Sequence, residues 1–258
     1  PQAEYISAVL ELACSGYSGT KESISEQTGI PTGKQKGKVV PHLKYAQYMG
    51  LLSFTSEGGV YDLKPTPLGE RVYMEDPYLL EGLTRLVCNY YLTDKQDGAP
   101  QWSYIFHTLP HLLDQPVDCE YLKDRCNAYF GFPVELGVVK NSYQSGMFEG
   151  LKMLNWSDKD LVFNRGFISK QYMPVYAYTL IDTWERILPD QREIPLPMIL
   201  NDLGWGAGFG FDEADISMVI DALADEQCIQ VNRQLFPVTV IRFARKEDLL
   251  SGLYSNLI

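Results

Sequence analysis

The sequence predicts a mainly α-helical protein with small β wings, organised as two winged helix-turn-helix modules flanking a helical middle domain. Three observations predict it. Residues 1–76 read as three helices followed by a two-stranded hairpin, residues 176–258 repeat that outline, and residues 77–175 are helical in pattern and rich in aromatics.

In the first module, Tyr5, Val9, Leu10 and Leu12 recur near helical spacing over residues 3–14, and Ser15-Gly16-Tyr17-Ser18-Gly19 closes that helix. Thr20 is suited to cap a second helix over 21–28, which Gly29 and Pro31 stop. Val39, Leu43, Ala46 and Met49 mark a third helix. It is expected to begin at Pro41, because proline disfavours a helical Val40, and to end at Gly50. Residues 51–70 then read as strand, glycine turn and strand, with Pro65 and Pro67 ending the wing before a helix starts near Leu68. Ile24, Ile30, Leu43, Leu51 and Leu52 are the expected core positions, and the polar face of the third helix is expected to point outward.

The middle segment shows helical stretches at 76–92, 102–113, 120–130 and 142–156 and no repeat of fixed period. In the last third, helices are expected over 176–188, 196–204 and 213–227. Two strands should then meet near Gln234 to Pro237. Ile216, Val219, Ile220 and Leu223 give the third of these helices one apolar face.

Composition bounds the function. The 258 residues are 45% hydrophobic, enough for real cores, and apolar runs are too short to span a membrane. The first residues resemble no signal peptide, and a chain that opens on Pro1 is expected to have lost its natural start. Five cysteines without C-x-x-C spacing fit reduced thiols in a cytoplasm. A net charge of −11 argues against indiscriminate nucleic-acid binding. The charge is uneven: Lys and Arg against Asp and Glu number 7 to 9 in residues 1–76, 9 to 11 in 77–175, and 6 to 13 in 176–258.

Within that frame one basic segment stands out. Lys34, Lys36, Lys38, His42 and Lys44 occur with no acid between Glu26 and Glu57, at the entry to the helix that a winged helix offers to a DNA groove. The lysines are expected to meet phosphates, and Gln35, His42, Tyr45 and Gln47 to reach base edges. The bland alternative is a solvated turn on a module that binds protein. The corresponding helix of the last third carries Asp212, Glu213, Asp215, Asp221 and Asp225 and no cation, which suits a protein partner or a second copy of the chain.

Other motifs fail on inspection. Gly29-Ile30-Pro31-Thr32-Gly33-Lys34-Gln35 has three residues between its glycines, and Gln35 where a phosphate-binding loop needs Ser or Thr. Four alternate glycines, Gly204, Gly206, Gly208 and Gly210, precede acids that would repel a phosphate. They read as a link in which Trp205, Phe209 and Phe211 turn inward. His107, His111, Cys119 and Cys126 lack usual zinc spacing, so no metal or cofactor is expected. No nucleophile sits beside a histidine in a recognisable context, and paired acids such as Glu75 and Asp76 are read as helix-end charges, so no enzyme activity is expected.

The run from Val60 to Leu92, followed by Gln101 to Pro110, resembles a prokaryotic family known as domain of unknown function 4007. The resemblance rests on Pro67, Leu68, Gly69, Asp76, Pro77, Tyr78, Leu79, Leu80, Thr84, Leu86, Tyr91, Leu92, Trp102, Tyr104 and Phe106. The family's opening segment has no counterpart here, and Leu80-Glu81 stands where the family has Glu-Asp. The resemblance implies an accessory protein of bacterial antiphage defence or DNA-modification islands, often beside sulfur-transfer genes related to phosphorothioation. It supplies no catalytic residues. The functional expectation is therefore a non-enzymatic accessory protein, with its N-terminal module on double-stranded DNA and its C-terminal module on a protein partner or in a homodimer. The alternative is a protein-only adaptor.

Overall fold

Capping and apolar spacing set the first elements. The computed structural model of the chain describes residues 1–33, 37–234 and 236–256. Helix α1 (Ala3–Cys14) buries Ile6, Val9, Leu10 and Ala13 along one face. Strand β1 (Ser18–Thr20) leads into α2 (Lys21–Thr28), whose first turn is capped by the Thr20 hydroxyl accepting from the Ser23 amide. Gly29 ends α2 in the left-handed conformation. Helix α3 (Val39–Tyr48) starts two residues before the expected Pro41. Proline is tolerated there because the amides of a helix's first turn have no intrahelical partner to lose. Strands β2 (Leu52–Glu57) and β3 (Val60–Pro65) complete an antiparallel sheet of order β1-β3-β2. The five expected core residues, Ile24, Ile30, Leu43, Leu51 and Leu52, are all buried.

The turn from β3 into α4 (Pro67–Glu75) shows why Thr66-Pro67-Leu68-Gly69 has that composition. The Thr66 hydroxyl accepts from the Gly69 amide at 2.9 Å, Pro67 takes the first helical turn where its missing amide costs nothing, and a Cβ on Gly69 would lie 1.8 Å from the Leu51 carbonyl oxygen. Glu75 closes α4 rather than opening a helix, and pairs with Arg71 at 3.0 Å. Asp76 is buried, and its carboxylate accepts from the Leu80 and Glu81 amides at 2.9 Å each, shaping the turn into α5 (Gly82–Leu92).

The middle segment is less uniformly helical than its pattern suggests. After α6 (Pro100–Ser103) the chain widens into a π-helical turn over Tyr104–Thr108. It then forms β4 (Val117–Asp118), α7 (Cys119–Phe130), α8 (Gly137–Gln144), β5 (Leu154–Trp156) and β6 (Asp160–Phe163), with the antiparallel order β4-β6-β5. These strands are two to four residues long and carry no alternation long enough to register against the helical background.

The remainder follows the same plan: α9 (Met173–Ile187), β7 (Glu193–Pro195), α10 (Leu196–Asn201), α11 (Glu213–Asp225), β8 (Ile229–Asn232), β9 (Thr239–Arg242) and α12 (Lys246–Ser251), with the order β7-β9-β8. One element order, strand-helix-helix-strand-strand with the last strand central, thus occurs three times among the described residues. The chain is mainly α with three small antiparallel sheets.

The chain divides into two compact units, Pro1–Phe163 and Asn164–Ile258. Sequence boundaries drawn after residues 76 and 175 differ from this division. Within the first unit α3 packs on the middle segment, with Tyr45 edge-on to Trp102 at 5.5 Å and the bare α-carbon of Gly50 (φ 72°) against the Tyr91 ring. The core of the second unit gathers around Trp184, Trp205, Tyr176 and Phe209.

Candidate nucleic-acid interface

Of the eight residues expected to meet DNA, Lys34, Gln35 and Lys36 lie outside the described residues. Lys38 precedes α3 and is exposed, with its ammonium 6.0 Å from the Tyr5 ring centroid. Lys44 and Gln47, three residues apart on α3, both face solvent. Nothing in α3 is acidic, so this outward face is cationic and polar.

His42 corrects the expectation. His42 is buried, its Nδ1 lying 2.7 Å from the Lys38 carbonyl oxygen and its Nε2 accepting from the Gln2 amide, with the Tyr5 ring edge-on at 5.0 Å. Burial drives its pKa down to about 4, so the ring is neutral and carries its proton on Nδ1, where it donates to Lys38. It is a core histidine, turned inward by the same 3.6-residue period that turns Lys44 outward. Tyr45 is half-buried between His42 and Trp102. The His42 ring is turned away from the surface, while Tyr45 keeps part of its ring exposed.

The acidic helix of the second unit divides in the same way. Asp212 caps α11 by accepting from the Asp215 amide at 2.8 Å, and Asp215 returns the bond to the Asp212 amide. Asp215 is only 2% exposed and receives a bidentate contact from Arg165 at 2.6 and 2.9 Å, which with desolvation opposed holds its carboxyl below the ordinary carboxylate range. It is a structural residue, unavailable to a partner. Asp212, Glu213, Asp221 and Asp225 do face solvent, around an exposed Met218. Asp221 is paired with Arg233 at the foot of the β8–β9 hairpin. Arg165 escaped the sequence reading, because nothing in a sequence ties it to an aspartate fifty positions away. The Asp-x-x-Asp spacing of the capping box was the readable signal.

The glycine-rich link before α11 behaves as its composition implies. Trp205, Phe209 and Phe211 are buried, the indole edge-on to both phenyl rings, and Gly204, Gly206 and Gly210 take φ values of 63°, 108° and 70°. The Trp205 indole donates to the Thr179 hydroxyl at 3.1 Å.

Among the described residues no group of three or more His, Cys, Asp or Glu could hold a metal ion. All five cysteines are free thiols, and Cys119 accepts from the Trp156 indole at 3.1 Å. A cleft lined by Asp182, Glu185, Arg186, Pro189, Arg242 and Lys246 carries three cations and two acids, with Lys246 paired to Asp182 and Arg242 to Glu185, each at 3.4 Å. No helix among the described residues is long and apolar enough to cross a membrane.

The chain is similar to solved structures that include a magnesium-bound crystal structure of SspB and a second SspB crystal structure, each superposing with a TM-score of 0.72 at 18% identity and covering 99% of this chain and 86% of theirs. The likeness at that identity is one of fold. No protein-family model matches the chain, and no curated protein matches it by sequence.

Proposed function

We propose that the chain is a DNA-binding accessory protein of a bacterial defence or DNA-modification system, in which each strand-helix-helix-hairpin unit is a winged-helix module. The first module meets double-stranded DNA and the last one docks a protein. The observation that carries this reading is the outward face of α3. In the position where such a module presents its recognition helix, Lys44 and Gln47 are exposed behind Lys38, and the flanking segment from residue 27 to 56 contains no acid. The exposed acids of α11, in the equivalent place of the last module, would repel phosphates and suit a partner with a basic surface. The fold likeness to SspB lends support to the defence setting that the family resemblance implies.

Duplex binding measured by fluorescence anisotropy against salt tests the reading. The wild-type affinity should fall with salt, and Lys38→Glu with Lys44→Glu should abolish measurable binding at low salt, each lost phosphate contact flattening the slope by about 0.9. Duplex binding that survives both substitutions together with Lys34→Glu and Lys36→Glu sinks the DNA assignment and leaves the protein-only adaptor. Because one SspB structure is magnesium-bound, the assay is run with and without magnesium on supercoiled plasmid. Conversion to open circles would overturn the non-enzymatic part of the reading.

A further inference from the structure

A set of large side chains in the first unit is exposed without serving the fold. Tyr121, Tyr129 and Phe132 are 50%, 61% and 58% exposed. On α7, Tyr121, Arg125 and Tyr129 are spaced four residues apart and lie on one stripe, with the small, exposed Ala128 beside it. Phe132 follows in the turn to α8. The rings are joined: Tyr104 stacks under Tyr129 with centroids 4.1 Å apart and planes at 27°, Tyr129 meets Phe130 edge-on at 5.0 Å, and Phe130 meets Phe132 at 5.9 Å. Arg125, half-buried, lies near the Tyr104 hydroxyl beside this cluster.

We propose that this stripe is a stacking surface for the unpaired bases of single-stranded nucleic acid. Single strands are recognised by laying bases on aromatic rings or on guanidinium planes, and here rings and a guanidinium alternate along one helix face. The stripe from Tyr121 to Tyr129 is about 12 Å long, room for about three bases at a stacked rise of ~3.4 Å. Tyr129 and Phe132 are already ordered by their ring contacts, so a base would dock on them without freezing loose side chains. Arg125 supplies the charge that a backbone phosphate requires, and Asp124 at the edge of the stripe limits that attraction. Binding should therefore depend on stacking more than on salt. Position agrees with this: the turn between the two helices of a module is where the first module carries its lysines, and in the middle module the same turn carries Phe132.

The test uses the full chain, a fluorescent oligothymidylate and a duplex probe. Tyr129→Ala with Phe132→Ala should weaken oligothymidylate binding by about ten-fold for each ring removed and leave duplex binding unchanged. Tyr129→Trp and Phe132→Trp should preserve binding, and the new indole at 132 should be quenched when the oligonucleotide is added. Wild-type protein that does not bind oligothymidylate, a double alanine variant that binds it equally well, or an unquenched Trp at 132 overturns the proposal. So does a variant whose only change is a lower sedimentation coefficient, which would assign the patch to a second copy of the chain. The lysines of the first module are tested on duplex alone, so loss of one assignment leaves the other standing.

Discussion

The links between the two helices of the first and last modules occupy the same place in the same topology and do opposite things. Among the described residues of the link from α2 to α3, Pro31, Thr32 and Gly33 are exposed, a Cβ on Gly33 would touch nothing within 4 Å, and the Lys38 amide donates to the Pro31 carbonyl. From α10 to α11 the link is buried. Trp205, Phe209 and Phe211 fill the interior, and a Cβ on Gly206 would sit 2.6 Å from Ile216 Cδ1. The first link leaves Pro31, Thr32 and Gly33 exposed, whereas the last buries its aromatics and so fixes the position of α11. Gly33 and Gly206 differ accordingly, one with open space where a Cβ would sit and the other without it.

Breaking this contrast begins with the largest side chain. Trp205→Ala removes a fully buried indole and the hydrogen bond to Thr179, and should destabilise the second unit by about 3–5 kcal/mol in urea unfolding. No single substitution in the 30–33 segment of the first link, apart from the buried Ile30, should approach that. A glycine pair sharpens the point at smaller cost. Gly206→Ala meets both a φ of 108° and the Ile216 side chain and should lose about 1–3 kcal/mol, whereas Gly33→Ala should change the unfolding midpoint by no more than experimental error. Equal losses at the two glycines would show that the links are not built differently.

How much of this was legible depends on the range of the interaction. Thr20, Gly29, Gly50 and Asp212 declare helix ends through local chemistry, and α1, α2 and α11 fall at or near the positions that chemistry implies. The three-stranded sheets were half visible: hairpins with turn residues could be read, while β1, β4 and β7, two or three residues each, pair with residues forty or more positions away and leave no local pattern. The same limit misplaced two candidate residues. His42 looks like a groove reader and Asp215 like surface acid, yet one is buried against α1 and the other against Arg165. Composition says which residues could bind, and only the helical phase and distant partners say which ones point outward. The motif that resembles a known family turns out to be structural at Thr66, Gly69 and Asp76, each engaged with backbone, so it reports fold more directly than function.

The smallest effect separates the units by their response to acid. All three histidines lie in the first unit, and burial depresses His42 and His107 to about 4. The unfolded chain binds protons at these sites near pH 6.5 and the folded chain does not, so stability is full above pH 6.5 and is lost as pH falls from there toward 4. The ceiling is about 1.4 kcal/mol per pH unit for each histidine, lowered by whatever solvent reaches the rings. The second unit has no histidine. Two of its carboxyls are held below the ordinary value, Asp215 by Arg165 and the exposed Asp248 by Arg245, and the contribution of Asp215 persists down to about pH 4 and disappears only as pH falls through the depressed folded pKa. Urea midpoints followed through backbone amide resonances should therefore fall between pH 7 and pH 5 in the first unit and hold in the second. His42→Leu should flatten part of that fall, since it removes a proton site that the unfolded state alone can fill. Parallel falls in both units would mean that they unfold as one, and would remove the physical separation on which the contrast between their two helix links depends.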